Sequence, residues 1–177
     1  MVIIDFGCGN SKTTGTIGVD FNPRTEADVI HNLNEFPYPF PDNYADHIIC
    51  NDVLEHVEDF IKVIEELWRI GKPGCEIKVT GPFMSSVNYF SDPTHRRSFT
   101  SRSFDYFIKD AEKRRYSYSP VEFELLSVEY DPDQIKVRQG FHLWMLRWAN
   151  KNKKMYEDRY AFIYPVYQIH FLLKTLK

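Results

Sequence analysis

Two short apolar runs, each closed by an acidic residue, open the chain: Val2-Ile3-Ile4-Asp5, running into Phe6-Gly7-Cys8-Gly9, and then Ile17-Gly18-Val19-Asp20. No other feature constrains the fold as much. A parallel sheet that starts this way needs glycine at its first turn, so that backbone can approach a ligand or turn left-handed. A carboxylate ending the second strand is placed to meet a ribose. A glycine pair alone also fits a turn that serves packing; the succession of segments after Asp20 makes the difference.

Ala27-Asp28-Val29-Ile30-His31 reads as a third strand. The next segment, Asn32 to Asn43, interleaves Leu33, Phe36, Tyr38 and Phe40 with Pro37, Pro39 and Pro41. Proline fixes φ and biases its predecessor toward extended backbone, so this loop is stiff. Asp46 to Cys50 is a fourth strand. Asn51 to Val57 leads into a helix whose apolar positions Phe60, Val63, Ile64 and Leu67 keep helical spacing. Gly71-Lys72-Pro73-Gly74 stops that helix, and Glu76 to Thr80 is a fifth strand. Strands alternating with crossovers imply a parallel sheet covered on both faces. Farther on, Thr100 or Ser101 caps a helix from Phe104 to Ala111. Val121–Tyr130 and Tyr167–Leu176 are strands six and seven, with helical segments Phe141–Asn150 and Tyr156–Tyr164 between them.

Three segments, DFGCGN at 5–10, LNEFPYPFPDNYAD at 33–46, and NDVLEHV at 51–57 with KPG at 72–74, resemble the class I S-adenosylmethionine-dependent methyltransferases. The resemblance implies a Rossmann-like, doubly wound α/β sheet of seven strands, mostly parallel, with the last strand antiparallel. It implies S-adenosylmethionine across the carboxyl ends of strands one to four. Carried over, Asp5, Gly7, Cys8 and Gly9 line the methionine end, Asp20 meets the ribose hydroxyls and Phe21 packs near the adenine. Asn32 stands where the family usually has Asp at the adenine amino group. The Leu33 N–H meets a ring nitrogen, and the Asn51 carbonyl lies near the amino group of the cofactor. The chain departs from the family pattern in lacking the third glycine of the turn. Asn10 to Val19 also leave no room for a full crossover helix, as in a small subgroup of the family.

The 177 residues make one domain: a cofactor-binding half, 1–110, and a second half, 111–177, of last strands and aromatic helical cover. Met1 runs straight into a strand and no apolar run reaches membrane-spanning length, so neither a signal peptide nor a transmembrane segment is expected. Cys8, Cys50 and Cys75 are odd in number and far apart, which fits reduced thiols in the cytoplasm. Residues 1–70 carry 4 Lys/Arg against 13 Asp/Glu, whereas residues 135–177 carry 9 against 2. The acidic half suits a cationic sulfonium. The basic tail, with Arg147, Lys151, Lys153 and Lys154 near Trp144 and Trp148, fits either a solvated helix face or a surface for an anionic partner. Nucleic acid is not the expected partner.

Ligands bind beyond the carboxyl ends of strands, so the loop after the fifth strand is where an acceptor's proton would be taken. His95, in Asp92-Pro93-Thr94-His95-Arg96-Arg97, is the candidate general base. Arg96 and Arg97 are candidates to hold an anionic acceptor, and His56 to touch acceptor or cofactor. Asp92 and His95 serve equally well in holding the loop's own shape. His31, His47 and His170 read as packing residues within strands. With no HxH or HExxH spacing, no metal is indicated. The expected function is methyl transfer to a small-molecule acceptor, at oxygen, with Trp144 and Trp148 helping to choose it. The alternatives are a nucleotide-dependent oxidoreductase and a catalytically inactive cofactor- or RNA-binding module of the same fold.

Overall fold

The computed structural model describes all residues, 1–177. Its elements run β1 (Ile3–Phe6), β2 (Ile17–Asp20), β3 (Val29–Ile30), β4 (Ala45–Asn51), α1 (Phe60–Ile70), β5 (Gly71–Pro82) and α2 (Val87–Ser91). After a 3-10 turn (Glu112–Tyr116) come β6 (Glu122–Tyr130), α3 (Pro132–Val137), α4 (Gly140–Lys151), α5 (Lys153–Arg159) and β7 (Gln168–Leu176). All seven strands form one sheet in the order β3-β2-β1-β4-β5-β7-β6. Strands β1 to β5 pair in parallel, and β7 runs antiparallel to both neighbours.

The sheet has two unlike faces. Residues paired across strands project to the same side. The register therefore collects Ile4, Phe6, Val19, Ile48, Cys50, Ile77, Val79, Phe171 and Leu173 on one side, each 2% exposed or less. Helix α1 buries Val63, Ile64, Leu67 and Ile70 in the same core. Tyr38 and Phe40 of the proline-rich loop place their rings 5.5 and 6.2 Å from Phe6. Phe99 and Phe104 meet Phe171 at 6.3 and 4.8 Å, and Tyr130 and Tyr156 flank Phe83.

The opposite side is charged. One row across it reads Ile3, His47, Glu76, Lys174, Glu124, with ion pairs His47–Glu76 at 3.6 Å and Lys174–Glu124 at 3.1 Å. Lys78 and Ser127 of the next row are exposed. The expectation of cover on both faces is thus corrected. No helix lies between β1 and β2, between β2 and β3, or between β3 and β4, so no crossover helix from these connections covers the second face, and many of its side chains are polar.

Several local expectations shift. The segment after Asn51 does lead into the expected helix: residues 52–57 form a turn, and α1 begins at Phe60, its N-cap Asp59 accepting a hydrogen bond from the Lys62 N–H. The glycine stop after Ile70 holds, but Gly71 enters β5 directly, so the fifth strand is longer than Glu76–Thr80. The third strand shrinks to Val29–Ile30. Residues 104–111 are turns rather than a helix, because their backbone bonds go to β6: Lys109 N–H donates to the Phe123 carbonyl and Phe123 N–H to Phe107. The second aromatic helix spans Lys153–Arg159 instead of 156–164, and α2, α3 and the 3-10 turn had no clear signal. Helices α4 and α5 bury Leu146, Ala149 and Tyr156 in the same core, so they do not stand in for the missing cover on the polar face.

The two faces give adjacent positions of β5 opposite roles. Ile77→Ala removes a buried side chain and is expected to cost about 2–5 kcal/mol. Lys78→Ala next to it is expected to stay within about 0.5 kcal/mol of the parent. Urea denaturation of both variants checks this; equal losses would refute the one-sided arrangement.

Candidate active site

The carboxyl ends of β1, β2 and β4 converge on a cavity of about 490 Å³, within the range of small-ligand sites. Gly7, at the end of β1, has φ +68°, and a Cβ there would sit 2.4 Å from Val53 Cγ2, so only glycine fits. Gly9, φ +51°, has open space where a Cβ would point. Asp20, ending β2, accepts hydrogen bonds from the Gly9 N–H (3.0 Å) and the Asn22 N–H (2.9 Å). One bond per oxygen leaves each with capacity for another donor.

The segment after β3 forms a second wall. Asn32 accepts from the Asn34 N–H, the Leu33 carbonyl accepts from Tyr38 Oη at 2.9 Å, and Asn34 Oδ1 accepts from the Glu58 N–H at 2.7 Å. Tyr38 is fixed from behind by α1. Its N–H donates to Glu66, and Arg69 donates to Glu66, Asp42 and the Phe40 and Tyr38 carbonyls. The stiff loop predicted from the prolines is thereby tied to α1.

The third wall is the turn between β4 and α1. Asp52 has φ +47° and accepts from Gln168 Nε2 at 2.9 Å; burial raises its carboxyl above the usual range. Glu55 is 1% exposed, and its Oε2 has no hydrogen-bond partner. Burial pushes its carboxyl up to about 8. His56 lines the cavity, its pKa lowered by burial and by the neighbouring His95.

The loop after α2 is clamped onto this turn. Arg97 donates to the carbonyls of Leu54 (2.8 Å), Val57 (2.5 Å) and Glu58 (3.2 Å) and lies 5.3 Å above the Phe60 ring. Arg96 N–H donates to the Glu55 carbonyl, and its guanidinium meets Glu58 at 2.7 Å. Both arginines expected to hold an anionic acceptor are therefore engaged within the loop. The clamp sets His95 Nε2 3.9 Å from Glu55 Oε1, with the His95 and His56 rings 4.7 Å apart.

Of the expected cofactor residues, Gly7, Asp20, Phe21, Asn32 and Leu33 line the cavity. Asp5, Cys8, Gly9 and Asn51 do not. Asp5 is buried and holds the crossover loop by accepting from the Thr13 N–H at 2.8 Å, while the Cys8 thiol is buried beside Gly18. Cys50 and Cys75 are also free and buried. His31 lies just beyond β3 and lines the cavity, which corrects its reading as a packing residue. Trp144 and Trp148 do not reach it: Trp144 is exposed and Trp148 packs on Tyr160. The cavity lining includes Asp20 and Asp52 but no lysine or arginine. Sequence reading missed Asp52, Glu55 and His31 as site residues. The NDVLEHV segment marked the first two, but nothing in the spacing joins Glu55 to His95.

A sheet of this order with its seventh strand reversed, and a cavity over the ends of β1, β2 and β4, has the class I methyltransferase fold. Residues 4–78, somewhat under half of the chain, match the family described as "Methyltransferase domain". Among solved structures, a SAM-dependent methyltransferase from Archaeoglobus fulgidus superposes with a TM-score of 0.60 at 17% identity, covering 98% of this chain and 85% of that one. Phosphoethanolamine N-methyltransferase 2 of Haemonchus contortus, in complex with S-adenosyl-L-methionine, gives 0.61 at 13% identity over 99% of this chain and 48% of the other. These share the fold. The demethylmenaquinone methyltransferase of Listeria monocytogenes serotype 4a is 38% identical over 58 residues, 30% of this chain. The chain spans 24% of that relative's length.

The two turn glycines are separable by substitution. Gly9→Ala is expected to cost about 1–2 kcal/mol in stability through its left-handed backbone, although its Cβ meets nothing, and to weaken binding of S-adenosylhomocysteine at least tenfold. Gly7→Ala is expected to destabilise the fold itself through the contact with Val53. Calorimetric titration and thermal unfolding of both variants check the assignment; unchanged binding in Gly9→Ala would remove the turn from the ligand site.

Proposed function

We propose that this protein transfers a methyl group from S-adenosylmethionine to a small-molecule acceptor, at oxygen. The observation that carries the reading is the cavity over the ends of β1, β2 and β4, lined by no lysine or arginine and bordered at one end by His56 and Thr94, with the His95 ring 4.7 Å from that of His56. Its residues fit the donor. Asp20 has free lone pairs for two ribose hydroxyls, Phe21 offers a ring face to the adenine, and Asn32 and the Leu33 N–H address the adenine edge. Gly7 and Gly9 leave the turn open for the methionine end. Bound there, S-adenosylmethionine supplies an electrophilic methyl group on a sulfonium, with a neutral thioether as leaving group.

The protein's part is mainly alignment, which can supply most of the acceleration in an in-line displacement. The acidic walls suit a cation and draw no anion. The acceptor enters beside His56 and Thr94, and its hydroxyl reaches the cluster centred on His95, where its proton is released as the C–O bond forms. The arginine clamp holds that cluster in place; it does not bind the acceptor.

S-adenosylhomocysteine is expected to bind one site per chain by calorimetry, and Asp20→Ala to weaken it at least tenfold. His95→Ala is expected to lower methyl incorporation into a panel of hydroxylated small molecules by about a hundredfold, with S-adenosylhomocysteine affinity unchanged. Absence of binding by the parent chain would overturn the reading. Unimpaired transfer in His95→Ala would overturn the role of the cluster.

A further inference from the structure

We propose that Glu55, His56 and His95 form a site for one divalent first-row transition-metal cation, with its remaining positions open to the cavity for an acceptor hydroxyl. The proposal deepens the methyl-transfer reading and rests on it for the identity of the acceptor group. One candidate ligand atom from each of the three residues lies within 4.8 Å of the other two. Two come from the turn after β4 and the third from the loop that Arg97 clamps onto it.

The hydrogen bonds around the rings decide which nitrogens face inward. His95 Nδ1 lies 3.1 Å from the Tyr89 carbonyl, which can only accept, so Nδ1 carries the hydrogen. Thr94 Oγ1 donates to Asp92 Oδ1 at 2.6 Å, leaving that hydroxyl to accept from His56 Nδ1 at 2.9 Å. In both rings Nδ1 is thereby committed outward, and Nε2 is the nitrogen left to face a ligand. His95 Nε2 lies 3.9 Å from Glu55 Oε1 and 3.9 Å from Asp92 Oδ2. Metal-ligating histidines are held in this way, the second nitrogen donating to a carbonyl or to a group backed by a carboxylate. Glu55 adds a carboxylate that is 1% exposed, with one oxygen unpartnered. A packing turn would not bury such a group unpaired.

No protein cation fills the gap. The Arg97 guanidinium is turned to three carbonyls, Arg96 pairs with Glu58, and no lysine lines the cavity. Two imidazoles and one carboxylate suit a borderline cation such as Zn²⁺, whereas Mg²⁺ and Ca²⁺ prefer oxygen alone. Bonds of about 2.1 Å would draw the three atoms to about 3.4 Å apart, a small closure from their present spacing. His56 and Thr94 line the cavity, so the open coordination positions face the acceptor. A hydroxyl bound there loses its proton to solvent near neutral pH. Its oxygen then forms the C–O bond as the C–S bond breaks and that electron pair returns to sulfur.

The test uses the full, metal-stripped chain titrated with Co²⁺ as an optical probe and Zn²⁺ as its competitor. One Co²⁺ per chain is expected, with visible d–d absorption that Zn²⁺ abolishes. Glu55→Gln and His95→Gln are each expected to weaken Co²⁺ at least about tenfold, while Asp20→Ala, which injures the donor pocket, leaves Co²⁺ affinity as in the parent. His56→Gln, at a partly exposed position, replaces Glu55→Gln if the latter does not fold. Absence of stoichiometric Co²⁺, or affinity unchanged in the ligand variants, would overturn the site. S-adenosylhomocysteine titrated into the same preparations separates the two claims: donor binding without metal binding removes the cation and leaves the methyltransferase reading standing.

Discussion

Most of the apolar packing of this sheet is done on one side. The chain makes its first three crossovers without a helix, so one face receives most of the apolar cover, and much of the other must carry side chains that water can solvate. The alternating row His47, Glu76, Lys174, Glu124 meets that requirement. Parallel strands are normally buried on both faces; here they are stable because Ile4, Phe6, Ile48, Cys50, Ile77 and Val79 concentrate the burial on a single layer. Every wall of the cavity must then come from loops on or beside that layer, and loops without helical backing need other means of rigidity.

Two arginines supply it. Arg69 binds the proline-rich loop to α1 through Glu66, Asp42 and two carbonyls, and Arg97 binds the post-β5 loop to the turn after β4 through three more. A planar fork of fixed donors suits this work, because each bond costs less ordering than it would from a flexible ammonium. The first clasp positions Leu33 and Asn32; the second positions His95 against Glu55 and His56. The same geometry explains why Arg96 and Arg97 read as anion binders in the sequence. Basic residues in a loop beyond a strand end look available until the carbonyls they satisfy are in view.

Legibility tracked the range of the interaction. Strand positions, the β1 glycine turn, Asp20 at the end of β2 and the proline-stiffened loop are local, and each was visible as period, composition or dihedral preference. The helix over 104–111 was misread because its apolar spacing was genuine, but the Lys109 N–H and the Phe107 carbonyl are committed to β6, a partner distant in sequence. The uncovered face was readable in principle from Glu76, Lys78, Glu124, Glu129 and Lys174 alternating with apolar neighbours. The rule that parallel sheets are covered on both sides outweighed that alternation. The Glu55–His56–His95 cluster was out of reach, because it depends on a clamp made by Arg97 that no motif spacing records.

The turn between β4 and α1 concentrates what the fold tolerates least. Asp52 adopts a left-handed backbone without being glycine, and Glu55 buries a carboxylate with one oxygen unpaired. Each is a local cost of the kind that persists where surrounding structure over-determines it, and such costs gather at functional sites. Leucine at position 55 would serve packing better, and glycine at 52 would relieve the backbone. Neither would leave acidic oxygens beside the Nε2 atoms of two fixed imidazoles. The stability given up in this turn is best understood as the consequence of holding that arrangement ready for a ligand that completes it.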